Sequence, residues 1–282
     1  MDRSRKLIRL ALFGTPIKAS LSPRIHRLFA QQFRLECEFQ CIETDLDNFP
    51  ESLKIFRLGG GTGCNITLPL KEAAWQLATG ATAEVKQAHS ANTLVYRPSI
   101  GWFAHTTDGA GLVRDLIVNH GHQLAGQRVL VLGAGGASAG ILGSLQAGGP
   151  QEIVLVNRNQ ERARALAKRF APGGKITIVS WGDLVAKGRF ELVINATSMG
   201  HSGEAPALEP TLFAPGAMCY DLNYHRASQP LQKLCEQMGQ PYIDGLGMLV
   251  EQAANSFQIW TGKRPDSVGV INEFDDGQPL PE

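Results

Sequence analysis

The segment RVLVLGAGGASAG, residues 128–140, limits the possible folds more than any other stretch of this 282-residue chain. An all-apolar run with strand character meets Gly133-x-Gly135 and passes directly into small residues with helical character. A strand that turns through glycines into a helix is the opening of a parallel β-α-β unit. The glycines let the turn close, and they let a pyrophosphate approach the backbone at the helix N-terminus. The third glycine position of this pattern holds Ser138, small enough for close helix packing. Read without a ligand, the same residues make a tight strand–helix turn.

The rest of the chain agrees with an α/β class, because apolar runs alternate with helix-period runs almost throughout. Ahead of the glycine turn come LIRLALFG, SPRIHRLFAQQF, EFQCIETD, NFPESLKIFRL, CNITL and LKEAAWQLA. Ser22-Pro23 has the form of a helix start, with serine as cap and proline at the first helical position. NTLVY and GWFAHT, separated by RPSI, predict a hairpin that brings Asn92 close to Thr106–Asp108. Beyond the turn, EIVLVN, KITIVSW, ELVINA, AMCYDLNY and PYID read as strands, and LGMLVEQAANSFQIWTG as the last strong helix. The tail DDGQPLPE is expected to be disordered.

Composition narrows the function classes. Hydrophobic residues make up 43% and charged residues 19%, which allows an ample core, and the net charge is only +1. That balance gives no electrostatic case for nucleic acid or an anionic membrane, so any anion site must be local. The start, MDRSRKLIRLALFG, imitates a signal peptide, but its apolar run is short, Arg9 interrupts it and no small-residue cleavage site follows. Leu7–Gly14 is read as a first strand instead, and no run approaches the ~18 residues of a membrane span. Five cysteines, an odd number without a C-x-x-C pair, suit reduced thiols in the cytoplasm. His120 and His122 have no acid or cysteine set nearby, so no zinc site is expected.

At the end of the second strand of such a unit, roughly 20 residues on, an NAD site carries Asp or Glu for the ribose hydroxyls. This chain has Asn157-Arg158-Asn159, followed by Arg162. Arg158 and Arg162 lie four apart at a helix start, can face one way, and suit a 2′-phosphate. The other reading is a solvated basic helix end. The missing acid, together with the arginines, favours NADP over NAD. NATSMG, residues 195–200, follows a later strand and falls where such sheets bind ligands.

More than about a hundred residues precede the glycine turn, and a hydride-transferring enzyme needs a substrate pocket and a proton donor. Lys71 stands in GCNITLPLK, where a helix begins and a cation gains no stability from the dipole. A helix N-terminus lowers a lysine pKa toward working pH, while a neighbouring carboxylate raises it and fixes its geometry. Lys71 and Asp108 could form such a pair. Taken singly, Lys71 reads as a solvated lysine and Asp108 as a helix cap.

These fragments occur in the order of one family. The chain resembles shikimate dehydrogenase from about Leu7 to Thr261. GTPIKASLSPRIH is similar to the family's opening segment, whose serines, here Ser20 and Ser22, hold the substrate carboxylate. NITLPLK resembles the motif of the catalytic lysine, here Lys71, and includes Thr67. ANTL supplies Asn92, TTDGAG the catalytic aspartate as Asp108, YDLNY the tyrosine Tyr224, and DGLGMLVEQAA the glutamine Gln252. GAGGAS and NRN resemble the coenzyme loop and basic clamp. The resemblance thus implies coenzyme contacts at Gly133, Ala134, Gly135, Gly136, Ala137, Asn157, Arg158, Asn159, Arg162, Thr197, Met199, Leu222 and Gly245. It implies two α/β domains flanking a groove: residues 1–108 with 246–282 for substrate, and a Rossmann-like NADP domain over 109–245. The last strong helix would return to the first domain. The implied reaction is NADPH-dependent reduction of 3-dehydroshikimate to shikimate, on the route to chorismate and the aromatic amino acids. A monomer or homodimer is expected, with no metal.

Two positions depart from the family pattern: Ala19 stands where histidine is usual, and Thr106 where asparagine is usual. Thr106 keeps open a paralogue acting on quinate or an amino-shikimate. Lys18 either adds charge near the carboxylate or is solvated. Taken singly, Gln252 reads as a satisfied buried amide, Tyr224 as a strand-end core residue, and Ser20 as a turn residue. A non-catalytic NADPH-binding regulator would have lost Lys71 or Asp108, and both are present.

Overall fold

The computed structural model describes residues 7–174 and 176–275. Two compact units emerge, one taking the chain up to Gly111 and again from Val250, the other Leu112–Leu249. Of the expected tail DDGQPLPE, Asp275 instead ends the last helix (Ser267–Asp275), while 276–282 and the basic start over 1–6 lie outside the described residues.

The first unit runs β1 (Ile8–Gly14), α1 (Ser22–Gln32), β2 (Cys37–Glu43), α2 (Phe49–Leu58), β3 (Gly63–Ile66), α3 (Lys71–Leu77), β4 (Gly80–Ala81), α4 (Ala83–Ala88), β5 (Thr93–Arg97), β6 (Gly101–His105) and the start of α5 (Asp108–Arg114). Its sheet has the order β2-β1-β3-β5-β6-β4. β1 pairs in parallel with β2 and β3, whereas β3–β5 and β5–β6 are antiparallel. The hairpin forms with Thr93 opposite His105, which carries Asn92 and Thr106 to the same end of the sheet. Phe13, Phe49, Leu53, Ile66, Leu70 and Leu94 fill the core on one side.

The second unit runs β7 (Arg128–Leu132), α6 (Gly136–Ala147), β8 (Glu152–Val156), α7 (Gln160–Phe170), β9 (Ile176–Val179), β10 (Phe190–Asn195), β11 (Phe213–Asp221), α8 (Gln229–Met238) and β12 (Tyr242–Ile243). Its six strands are all parallel, in the order β12-β11-β10-β7-β8-β9. β7, β8 and β10 are buried nearly end to end, as strands covered on both faces must be. α9 (Leu246–Thr261) and α10 (Ser267–Asp275) complete the chain. From Val250 onward, α9 packs in the first unit, where Trp260 Nε1 donates to Leu94 O at 2.9 Å.

Two local readings change. Ser22 is the first helical residue of α1 and caps nothing; the hydroxyl that meets this helix start is Ser20 Oγ, which accepts from Ser22 N at 3.2 Å. Asp108 likewise opens α5 instead of capping it, since Gly111 N donates to Thr107 O. That leaves both its carboxylate oxygens for tertiary partners. Sequence reading also missed α4 and α10. Thr82 Oγ1 caps α4, and Asp266 Oδ1 accepts from Val268 N and Gly269 N at the start of α10. Cap residues before short helices were the available signal.

Candidate active site and coenzyme edge

In the first unit, Lys71 Nζ donates to Asp108 Oδ2 at 2.6 Å, with side-chain exposures of 18% and 7%. Lys71 opens α3, whose N-terminus repels a cation; the carboxylate offsets that repulsion and sets the direction of the ammonium. Asp108 Oδ1 accepts from Asn92 Nδ2 at 2.9 Å, and the same amide reaches Gln252 Oε1 at 2.9 Å and Thr107 Oγ1 at 2.8 Å. Asn92 Oδ1 accepts from Thr107 N at 2.8 Å and Thr93 Oγ1 at 3.1 Å. Lys71, Asn92, Asp108 and Gln252 therefore form one cluster drawn from four segments.

Behind them lies a second layer that sequence reasoning missed. Ser256 Oγ, one helical turn after Gln252, sits 2.7 Å from Thr93 Oγ1 and 3.2 Å from Thr107 Oγ1. Asn65 Nδ2 reaches Ser256 Oγ at 3.0 Å and Asn92 O at 3.2 Å, while Asn65 Oδ1 meets His26 Nε2 at 3.0 Å. His26 is fully buried, stacked on Phe39 at 4.5 Å, and burial lowers its pKa to about 3. It is a neutral donor. The signals were present: Asn65 opens the lysine motif, and Ser256 follows Gln252 at i+4. Thr67 lies beside Gly14, where a Cβ would come 2.3 Å from Thr67 Cγ2. Ser22 is buried, Ser20 half-buried and Lys18 exposed. Thr106 Oγ1 is buried and makes no hydrogen bond.

In the second unit the glycine turn follows β7. Gly133 has φ of 101°, and a Cβ there would lie 3.0 Å from Ala196 O, so both backbone shape and space require glycine. α6 begins at Gly136, with Gly135 in the cap position and Ala137 in its first turn. Ser138 Oγ donates to Gly133 O at 2.7 Å and secures the turn. Ala134 N donates to Asn157 Oδ1 at 3.2 Å, which ties the turn to the end of β8. Asn159 caps α7 by accepting from Arg162 N. Arg158 and Arg162 are exposed, and Arg162 Nη2 lies 4.0 Å from where a Gly135 Cβ would stand. Backbone N–H groups at a helix start, a turn where a side chain would intrude, and two free-standing guanidinium groups fit a phosphorylated dinucleotide.

Thr197 N and Oγ1 donate to Asn195 Oδ1 at 3.1 and 2.7 Å, and Leu222 N donates to Asn195 O. Gly245 approaches Leu222 so closely that a Cβ would lie 2.5 Å from its carbonyl oxygen. Met199 begins a short 3-10 turn, and the half-buried Tyr224 ring packs edge-on to His225 at 5.2 Å. Among the described residues no group of three or more His, Cys, Asp or Glu could hold a metal, and no helix is long and apolar enough to cross a membrane.

Comparison with known proteins agrees with both units. Residues 12–94 match the family described as Shikimate dehydrogenase substrate binding domain, 115–202 Shikimate / quinate 5-dehydrogenase, and 245–273 Shikimate 5'-dehydrogenase C-terminal domain. A protein of Alkalilimnicola ehrlichii named Shikimate dehydrogenase (NADP(+)) is 45% identical over 93% of this chain and 97% of its own. One of Methylococcus capsulatus with the same name is 42% identical over 95% of this chain and 96% of its own. Among solved structures, an Ael1 enzyme from Pseudomonas putida has a TM-score of 0.87 at 38% identity, covering 97% of this chain and all (100%) of its own. Shikimate 5-dehydrogenase from Thermus thermophilus, solved with NADP(H) and shikimate, has a TM-score of 0.80 at 30% identity, covering 95% of this chain and 99% of its own. Matched along nearly its whole length by relatives of one name, the chain belongs to the shikimate dehydrogenase family.

Proposed function

We propose that this chain catalyses the reversible NADP-dependent reduction of 3-dehydroshikimate to shikimate, in the pathway to chorismate and the aromatic amino acids. The observation that carries the reading is the 2.6 Å contact between Lys71 Nζ and Asp108 Oδ2, anchored through Asn92 to Gln252. NADPH, when bound, supplies a hydride to the carbonyl carbon. Lys71 delivers a proton from its ammonium to the oxygen that gains negative charge, and Asp108 keeps the ammonium aimed. In the oxidative direction neutral Lys71 takes the hydroxyl proton. Asn92 and Gln252 offer amide groups to the ring hydroxyls, with Thr67 and Tyr224 as further contacts, and Ser20 and Ser22 take the carboxylate. Directional partners of this kind discriminate strongly between substrates, because a missing hydroxyl leaves a polar group unpaired.

The coenzyme is assigned to Gly133, Ala134, Gly135, Gly136 and Ala137, the Asn157–Asn159 segment, Arg162, Thr197, Met199, Leu222 and Gly245. The arginines would hold its 2′-phosphate. The substrate domain comprises residues 1–108 and 246–282, and the coenzyme domain residues 109–245. The protein acts in the cytoplasm as a monomer or homodimer. One observation favours a second reading, a paralogue acting on quinate or an amino-shikimate: Thr106 stands where the family usually has asparagine, and its buried hydroxyl makes no hydrogen bond to the protein. Steady-state kinetics with shikimate and quinate, each with NADP and NAD, separate the readings. Preference for shikimate with NADP upholds the first; a larger kcat/KM for quinate replaces it with the second.

A further inference from the structure

Asp221 ends β11 as a fully buried carboxylate, 0% exposed. Its Oδ1 accepts from Asn195 Nδ2 at 2.9 Å, Asn223 N at 3.0 Å and Asn223 Nδ2 at 2.8 Å. Its Oδ2 is buried and has no hydrogen-bond partner. Every donor that reaches it is thus a neutral amide. The titratable groups that face it are Asp244, which follows β12, Tyr242 on β12, Cys219 on its own strand and Cys235 on α8. None of these carries positive charge. Burial pushes the Asp221 carboxyl up to about 6, against the pull of the Asn223 and Asn195 donors, and Asp244 adds to the rise. An asparagine would accept the same three hydrogen bonds with no charge to bury. A carboxylate here therefore costs stability at neutral pH, which points to a use for its charge.

Strand order says what that use is. Arg158 and Arg162 follow β8, the glycine turn follows β7, and β10 and β11 lie on the far side of β7. A dinucleotide with its 2′-phosphate at β8 and its pyrophosphate at the glycine turn must lay its nicotinamide end over the ends of β10 and β11. Those ends are Asn195 and Asp221, which stand in register. Asn195 and Asn223 both hold Thr197, through Oδ1 and through a 3.1 Å bond from Asn223 Nδ2 to Thr197 O. The oxidised nicotinamide ring is a cation, and the reduced ring is neutral.

We propose that Asp221 sets the coenzyme's redox preference: its buried negative charge favours bound NADP+ over bound NADPH. This rests on the coenzyme reading above. The test is Asp221→Asn in the full chain, titrated with NADP+, NADPH and 2′,5′-ADP at pH 8. The dissociation constant for NADP+ rises about tenfold relative to that for NADPH, and 2′,5′-ADP binding is unchanged. The ligand-free variant also melts above the parent at pH 8, and the gap closes as the pH falls from about 6 toward 4. A ratio within about twofold of the parent's overturns the proposal, as does an equal loss of 2′,5′-ADP binding. A second measurement needs no variant: as the parent is taken down through about pH 6, NADP+ binding weakens more than NADPH binding. A ratio flat across that range also overturns it. A parent that binds NADP+ and NADPH but shows neither response sinks this inference alone, whereas a parent that binds neither sinks the coenzyme reading with it.

Discussion

The two units use polar side chains in opposite ways. In the first, the His26 imidazole of α1 joins hydroxyls and amides from β3, β5, the β6–α5 junction and α9 in a dense buried network. In the second, the candidate site is mostly backbone: a glycine turn, a helix start and strand ends, with two exposed arginines beside it. The ligands explain the contrast. A small ring bearing several hydroxyls is recognised through directional partners, each lost bond leaving a buried group unpaired. A long phosphorylated dinucleotide is held by repeated N–H groups and by charge, which tolerate variation in the side chains around them.

One buried ionisable group in each unit, His26 in the first and Asp221 in the second, makes stability respond to pH in opposite directions. His26 is held neutral with its pKa near 3, below the ordinary 6.5. Acidification protonates the unfolded chain first, so this contribution to stability falls as pH drops from about 6.5 toward 3. Asp221 has its pKa raised from 3.8 to about 6. Here the folded state takes up the proton first, so stability rises as pH drops from about 6 to about 4.

Lys71→Ala puts the greatest strain on the contrast between units. Turnover falls by about a thousandfold, within the range of a lost general acid, while the NADPH dissociation constant stays within about twofold. A variant that keeps near-normal turnover would break the proton-donor assignment; one that loses NADPH affinity would blur the division of labour. Arg158→Ala with Arg162→Ala is the converse test. NADPH binding weakens about a hundredfold, NADH binding barely changes, and the KM for shikimate is unmoved, because only the 2′-phosphate loses its charge-assisted bonds. Equal weakening of both coenzymes would remove the phosphate clamp.

Ser256→Ala probes the layer behind the first unit's cluster. Asn65, Thr93 and Thr107 lose a shared partner, so thermal unfolding drops by about 1–3 kcal/mol and kcat/KM by roughly tenfold. Unchanged kinetics with lowered stability would reduce Ser256 to a structural residue. The smallest effect is that of His26→Gln. Melting curves from pH 7 to pH 6 should lose part of the parent's downward slope, by less than about 1 kcal/mol. A parent stability that rises on acidification through this window would show that the nucleotide unit dominates instead.

Parts of this molecule were open to reading from residues alone. RVLVLGAGG announced the parallel unit because an all-apolar strand and a glycine turn are local facts. The hairpin NTLVY–GWFAHT placed Asn92 near Asp108 because antiparallel register follows from the loop between two strands. Asp108 was harder: cap and carboxylate partner share one local pattern, and only the tertiary contact with Lys71 separates them. Ser256 and Asp221 escaped notice for a similar reason. One looks like a helix-surface hydroxyl and the other like a strand-end turn residue, until burial takes the water away and forces each to find a partner.

By itself the sequence determined the class of fold, the order of its elements, the family motifs and the basic pair after β8, since each depends on neighbours within a few residues. Tertiary structure decided that Lys71 meets Asp108, that α9 brings Gln252 and Ser256 to Asn92, and that Asp221 is sealed from solvent. Those outcomes depend on strand order and burial, where distant segments exchange water for one another and a side chain's chemistry is set by what replaces it.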